Sequence, residues 1–270
     1  MQDAIALSLS QSDVLDPDRA NALAVTLGLE ASFGSGAPLP PFFHQIYFWH
    51  ARPAQELGRD GHPQRGGLIP DMGLPRRMWA GGRLAFHLPL RAGQEARKTS
   101  RCIRAEHKEG RSGPLALVTL QHDIEQDGNL CVTEWQDLVY LPDRSSGSTP
   151  ASPTAAPVEC DTEGHVSFDS TVLFRYSALT FNGHRIHYDL EYAQQVEGYG
   201  GLVVHGPLLA QLLMLKAEAE LGPLAGFAFR ATAPLMHFET ARLCRSGNQL
   251  WCAGPDGRQC MSATAEPRSE

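Results

Sequence analysis

The stretch FRYSALTFNGHRIHYDLEYAQQVEGYGGLVVHGPLLAQLLML, Phe174–Leu215, decides how the chain is read. Its last part, Pro207–Leu215, is apolar on nearly every side, the pattern of a helix buried all round. Pro207 suits the first helical position because it has no N–H to leave unpaired. Gly206 then stands at a helix N-terminus, where free backbone N–H groups and the positive end of the helix dipole gather. Between a strand-like opening at Phe174 and this helix lies a polar turn with Asn182, His184 and His187. Asp189 has the position of an N-cap for a short helix through Tyr192, which places His187 by one helix start and Gly206 at the next. An imidazole that titrates near neutrality and a main-chain oxyanion donor on one frame suffice for proton transfer beside a carbonyl.

Working outward, Asp16-Pro17 reads as N-cap and first residue of an amphipathic helix through Ala20, Leu23, Ala24 and Leu27, whose apolar face needs a sheet. From Gly34 to Gly82 the periodicity fades into a segment dense in Gly, Pro and aromatics, which predicts a long ordered loop able to line a pocket. Residues 83–141 alternate as four β-rich runs, broken at Arg91-Ala92-Gly93, at residues 110–113 and at Asp127-Gly128, the strongest hairpin signal. The Ser-, Pro- and Ala-rich residues 146–160 read as a linker, dividing the chain into 1–145 and 161–270. The second half repeats the order of elements, with a strand over about His165–Tyr176, the polar turn, the buried helix, and further strands in FAFRATAPLMHFETARLCRS, GNQLWCAGPDG and RQCMSATAE.

The pattern Asn182-x-His184-x-x-His187-x-Asp189, followed by His205-Gly206 and the apolar helix, resembles the hydratase segment of MaoC-like hot-dog proteins. The form LTFNGHRIHYD is most similar to the branch of type-2 hydroxyacyl-thioester dehydratases with the mesaconyl-C4-CoA and itaconyl-CoA hydratases, and LGRDGHPQRGGLIP with PRRMWAGG narrows the likeness to those hydratases. The resemblance implies an α+β double hot-dog, two helix-wrapped antiparallel sheets in one chain. Its motif survives in the second half, and the first half supplies pocket wall. It implies a hydro-lyase on an enoyl-CoA, with a C5 dicarboxylyl-CoA yielding citramalyl-CoA as the narrowest reading. His187 would be acid and base, and the Gly206 amide the oxyanion donor. Asn182 stands where most members carry Asp, and an amide cannot exchange protons near neutral pH. A fatty-acid dehydratase and an acyl-CoA-binding protein without turnover remain the alternatives.

For the other residues the bland reading stands beside the sharp one. Arg76 and Arg77, with Trp79 beside them, are candidates to hold a carboxylate or CoA phosphates, or are a solvated pair over packed side chains; Arg83 and Arg185 stand likewise. Asn182 orients a reactant or caps a turn, His184 faces pocket or solvent, and His205 binds substrate or supports the frame. A three-imidazole metal site is the weaker reading, since it leaves His205-Gly206 unexplained. No cofactor is expected beyond the coenzyme A of the substrate.

With 42% hydrophobic and 20% charged residues the composition is that of a globular protein, and the net charge of −7 argues against a nucleic-acid partner. No apolar run reaches membrane-spanning length. Six cysteines without CxxC spacing read as reduced thiols, so a cytoplasmic protein, expected as a homodimer, is the reading carried forward.

Overall fold

The computed structural model describes residues 7–63, 67–110, 113–143 and 153–269. Ten strands run β1 (Ser8–Val14), β2 (Arg76–Phe86), β3 (Glu95–Gly110), β4 (Gly113–Gln126), β5 (Asn129–Leu141), β6 (Thr162–Ser167), β7 (Leu224–Ala231), β8 (Thr240–Ser246), β9 (Gln249–Ala253) and β10 (Gln259–Pro267). They form one antiparallel sheet in the order β1-β3-β4-β5-β2-β7-β10-β9-β8-β6. From either edge to the centre the two halves follow the same course, β1-β3-β4-β5-β2 against β6-β8-β9-β10-β7. That internal repeat is the double hot-dog architecture. The seam is the β2–β7 pairing, Gly82 opposite Phe229 and Leu84 opposite Phe227. Close packing explains the glycines there, because a Cβ on Gly81 would meet the Phe229 carbonyl oxygen at 2.5 Å.

Local chemistry sets the helix ends. In α1 (Pro17–Thr26) the Asp16 carboxylate accepts the Asp18 N–H at 2.9 Å, and Ala20, Leu23 and Ala24 are buried. Its apolar face packs chiefly against a second helix, α2 (Ser170–Leu179), and the turn Phe43–Ile46, where the sequence led us to expect the sheet. Helix α2 itself corrects the expected strand through Phe174 and Tyr176. Asp169 accepts the Val172 N–H at 2.8 Å, and that cap outweighs the β preference of Thr171, Val172 and Phe174.

The long helix α3 (Gly206–Leu221) is the one the sheet wraps, contacting β10, β7 and β9 and, across the seam, β2. Leu208, Leu209, Leu213 and Met214 are buried against Phe227 and Met261. Side chains of this size contribute about 1.5–3 kcal/mol each by burial. In the first half, Pro38, Pro40 and Pro41 break up any helix through residues 38–41. A loop of buried aromatics, Phe42, Phe43, Tyr47 and Phe48, fills the space instead.

The other boundaries follow from turn chemistry. Asp127-Gly128, with φ of 50° and 74°, is a two-residue turn closing the β4–β5 hairpin, as expected. Arg76–Gly82, assigned to the loop from sequence, opens β2, and a bulge between Trp79 and Gly81 hides its alternation. The stretch from Phe227 to Ser246 holds two strands, since β7 ends at Ala231 and β8 begins at Thr240. Residues 144–152, which include 146–152 of the expected 146–160 linker, and the turn residues 111–112 lie outside the described residues. All six cysteines are free thiols, and no helix among the described residues is long and apolar enough to cross a membrane.

Candidate active site

The polar turn follows directly from the end of α2. Asn182 N–H donates to the Ser177 carbonyl at 2.8 Å, and Phe181 takes a left-handed φ of 52° to turn the chain. Trp49, donating to the Leu179 carbonyl and stacked on Phe181 at 5.3 Å, holds that conformation in place. The Asn182 side-chain oxygen accepts the His184 N–H at 3.0 Å, so the amide caps the turn while lining the cavity. A 3-10 turn, Arg185–His187, then delivers His187.

His187 is 6% exposed, and its Nδ1 lies 2.7 Å from the Val203 carbonyl oxygen. A carbonyl only accepts, so Nδ1 carries the hydrogen and Nε2 keeps its lone pair. Burial lowers the pKa of this imidazole to about 4, which keeps it an unprotonated base at neutral pH. His205, N-cap of α3, stacks on it at 3.7 Å and bonds through Nε2 to Ser177 Oγ at 2.8 Å. His205 is fully buried and absent from the cavity wall, which corrects its place among the substrate-binding candidates: it backs the ring of His187.

Gly206 lies in the wall of the same cavity, at an α3 terminus that no side chain caps. Protein packing does not ask for glycine here, because a Cβ would meet only the Trp79 carbonyl oxygen at 3.9 Å. Access from the cavity is the remaining use for the missing side chain, as an oxyanion donor requires.

The cavity measures about 900 Å³ and is lined from both halves, by Arg77, Trp79 and Leu138 from the first and Tyr176, His184 and Leu209 from the second. Arg76 also lines it, but its guanidinium pairs with Glu197 at 3.4 Å, and Glu197 accepts a second bond from Tyr192 Oη. Arg77 has no ion pair among the described residues, so of the two it is the free cation. Arg185 is another correction: it bonds Asp189 at 2.7 Å, lies over the Tyr192 ring and is outside the cavity wall. Asp189 also caps Tyr192 N–H at 3.0 Å, in the role expected of it. Arg83 lies over Trp135 on the exposed face of β2, away from the cavity.

Two residues in the wall, Asp60 and His62, were not singled out in the sequence. Their loop docks on the motif: the Arg185 N–H donates to the Asp60 carbonyl at 2.9 Å, and Gly61 faces Gly183 so closely that a Cβ on Gly61 would lie 2.0 Å from the Gly183 oxygen. Gly61 also has φ +85°. Gly61→Ala must push the loop more than about 1 Å from the motif, and displacement of that size lowers turnover by about 10² in a tightly built site. The expected result is a kcat/KM loss of that order with the far-ultraviolet circular dichroism unchanged. Wild-type kinetics would mean the loop is not part of the site.

The chain matches the family model of hydroxyacyl-thioester dehydratase type 2 over residues 42–237. It is 47% identical to the mesaconyl-C(4)-CoA hydratase of Chloroflexus aurantiacus, covering 92% of this chain and 91% of that one. Among solved structures, HtdX of Mycobacterium tuberculosis superposes with a TM-score of 0.69 at 17% identity, over 97% of this chain and all of that one. A second protein from that organism, described as a double hotdog, gives 0.60 at 13% identity over 97% of this chain and 96% of the other. By sequence as well as by fold, the chain belongs to the hydroxyacyl-thioester dehydratase type 2 family of MaoC-like hot-dog enzymes.

Proposed function

We propose that this hydro-lyase hydrates a short C5 dicarboxylyl-CoA to citramalyl-CoA, adding water across the Cα–Cβ double bond of mesaconyl-C4-CoA or across the Cβ–Cγ double bond of itaconyl-CoA. The observation that carries the substrate reading is the pairing, in one cavity wall, of a buried neutral His187 with an Arg77 that no described acid neutralises. The 47% identical relative bears a name of the same substrate class.

In this reading the thioester oxygen lies on the Gly206 amide, where the α3 dipole favours the charge that develops as water attacks. His187 Nε2 takes a proton from the water, and the acidic end of the substrate reaches Arg77. Trp79 supplies apolar wall. The reaction moves no electrons to or from a carrier, so no cofactor is needed. Burial lowers the pKa of His62 and His184, and the charge of Arg77 adds to the lowering, a contribution that a bound carboxylate would offset. The functional assembly in this reading is a homodimer.

Purified protein assayed on mesaconyl-C4-CoA, itaconyl-CoA, crotonyl-CoA and a long unbranched enoyl-CoA tests the substrate. The expected order puts one of the two dicarboxylyl thioesters first by at least about 10² in kcat/KM, the scale of one charge-assisted contact. Preference for the long chain would favour fatty-acid dehydration instead.

A further inference from the structure

The family pattern leaves one chemical question open. Hydration moves two protons, one off water and one onto Cα, and Asn182 cannot carry either of them. The structure places another titratable pair where the second could be handled. Asp60 accepts from His62 twice, Oδ1 from the backbone N–H at 3.1 Å and Oδ2 at 3.0 Å from ring Nδ1. That bond fixes the tautomer and leaves His62 Nε2 as the exchanging atom. The His62 ring lies 4.3 Å from that of His184, which lies 5.3 Å from that of His187. All three imidazoles and Asp60 line the same cavity.

We infer that Asp60 and His62, supplied by the first half of the chain, are the second acid–base unit of the site, with His62 exchanging the Cα proton and Asp60 positioning it. The inference rests on the hydratase reading above. As water attacks, its oxygen bonds to Cβ and one of its protons goes to His187 Nε2. The π pair moves through Cα onto the thioester oxygen, which the Gly206 amide holds. His62, doubly protonated with Nδ1–H on Asp60, gives the Nε2 proton to Cα, and the oxygen's pair re-forms the C=O bond. His187 has gained the proton that His62 lost, and the ring of His184 between them provides the way back. The balance is one water consumed and none of the groups changed.

The charged and titratable groups around His62 are Asp60, Arg77, His184 and His187. Burial, and after it the charge of Arg77, lower the pKa of His62 against the pull of Asp60. A substrate carboxylate on Arg77 offsets the part of that opposition that comes from Arg77, so seating the dicarboxylyl substrate favours the acid form. A metal ion is the competing occupant, because ligand atoms of Asp60, His62 and His184 lie within 4.8 Å of one another. Against it, both Asp60 oxygens are already committed to His62.

The test compares wild type, His62→Gln, His62→Ala and Asp60→Asn on mesaconyl-C4-CoA and crotonyl-CoA. For His62→Gln the expected result is a kcat loss of about 10² or more with KM within about threefold, the usual scale for a lost proton carrier. Added imidazole should restore part of the rate of His62→Ala, which a merely structural role would not allow. Asp60→Asn should lose about tenfold and shift the alkaline limb of the kcat profile, which His62→Gln should abolish. A His62→Gln variant within threefold of wild type, an effect confined to KM, or one bound zinc per wild-type chain that is lost in His62→Gln would overturn the inference. Wild-type protein inert on every enoyl thioester removes the hydratase reading and this one together; an active wild type with an unaffected His62→Gln removes this one alone.

Discussion

His187→Ala is expected to lower kcat on the preferred enoyl-CoA by at least about 10²-fold, because in the proposed mechanism the group lost is the base that takes the proton of water. The geometry gives the reason for expecting so large an effect from one ring. Its Nδ1 is anchored on the Val203 carbonyl, its face is held by His205, and only Nε2 is left for the cavity. The pKa near 4 sets the pH signature. The base works only when neutral, so activity should be lost through an acid limb near pH 4, well below the range of an ordinary histidine. Since His187 is buried, its truncation also leaves a hole, and His187→Gln serves as the companion variant that keeps most of the volume. Both should lose turnover while still binding coenzyme A in calorimetry. Turnover within threefold of wild type in either would remove His187 from the chemistry.

Arg77→Ala is expected to reduce kcat/KM for the dicarboxylyl substrate by about 10² or more and that for crotonyl-CoA by less than about threefold, the difference being one truncated charge pair. The contrast is informative because both thioesters carry the same coenzyme. If Arg77 held a phosphate of CoA, both would fall together. If it were a solvated surface residue, neither would. Arg76→Ala makes the control: its charge is spent on Glu197, so its removal should disturb the Tyr192–Glu197 corner without selecting between substrates.

Much of the fold was readable because its determinants are local. Asp16-Pro17 starts α1, Asp127-Gly128 turns the β4–β5 hairpin, and the all-round apolar Pro207–Leu215 is the helix that the sheet encloses. The misreadings share a cause as well. Helix α2 reads as a strand in the sequence because Thr171, Val172 and Phe174 favour one, while the deciding Asp169 cap occupies a single position. The start of β2 was missed because the bulge at Trp79–Gly81 breaks its alternation.

At the site, His187, Asn182 and Gly206 were legible because the motif holds them close in sequence, and all three line the cavity. What could not be read is what meets across long separations. Arg76 and Arg77 are neighbours, and only Glu197, 121 residues away, tells the neutralised one from the free one. Asp60 and His62 reach the motif because Gly61 and Gly183 touch backbone to backbone. The signal, Arg59-Asp60-Gly61-His62, lies within the loop segment LGRDGHPQRGGLIP, but its partner is in the other half of the chain. The sequence leaves His205 open between substrate binding and support of the frame, and the contact that decides for support, with Ser177 of α2, is 28 residues away.

The most direct measurement is mass spectrometry of the thioester recovered after wild-type protein is incubated with mesaconyl-C4-CoA and itaconyl-CoA in ¹⁸O-labelled water. Hydration at the His187–Gly206 cavity requires intact CoA thioester with one labelled oxygen, carried on Cβ, and His187→Ala should form it far more slowly. Unlabelled starting thioester, or free CoA with the label in a released carboxylate, would contradict it.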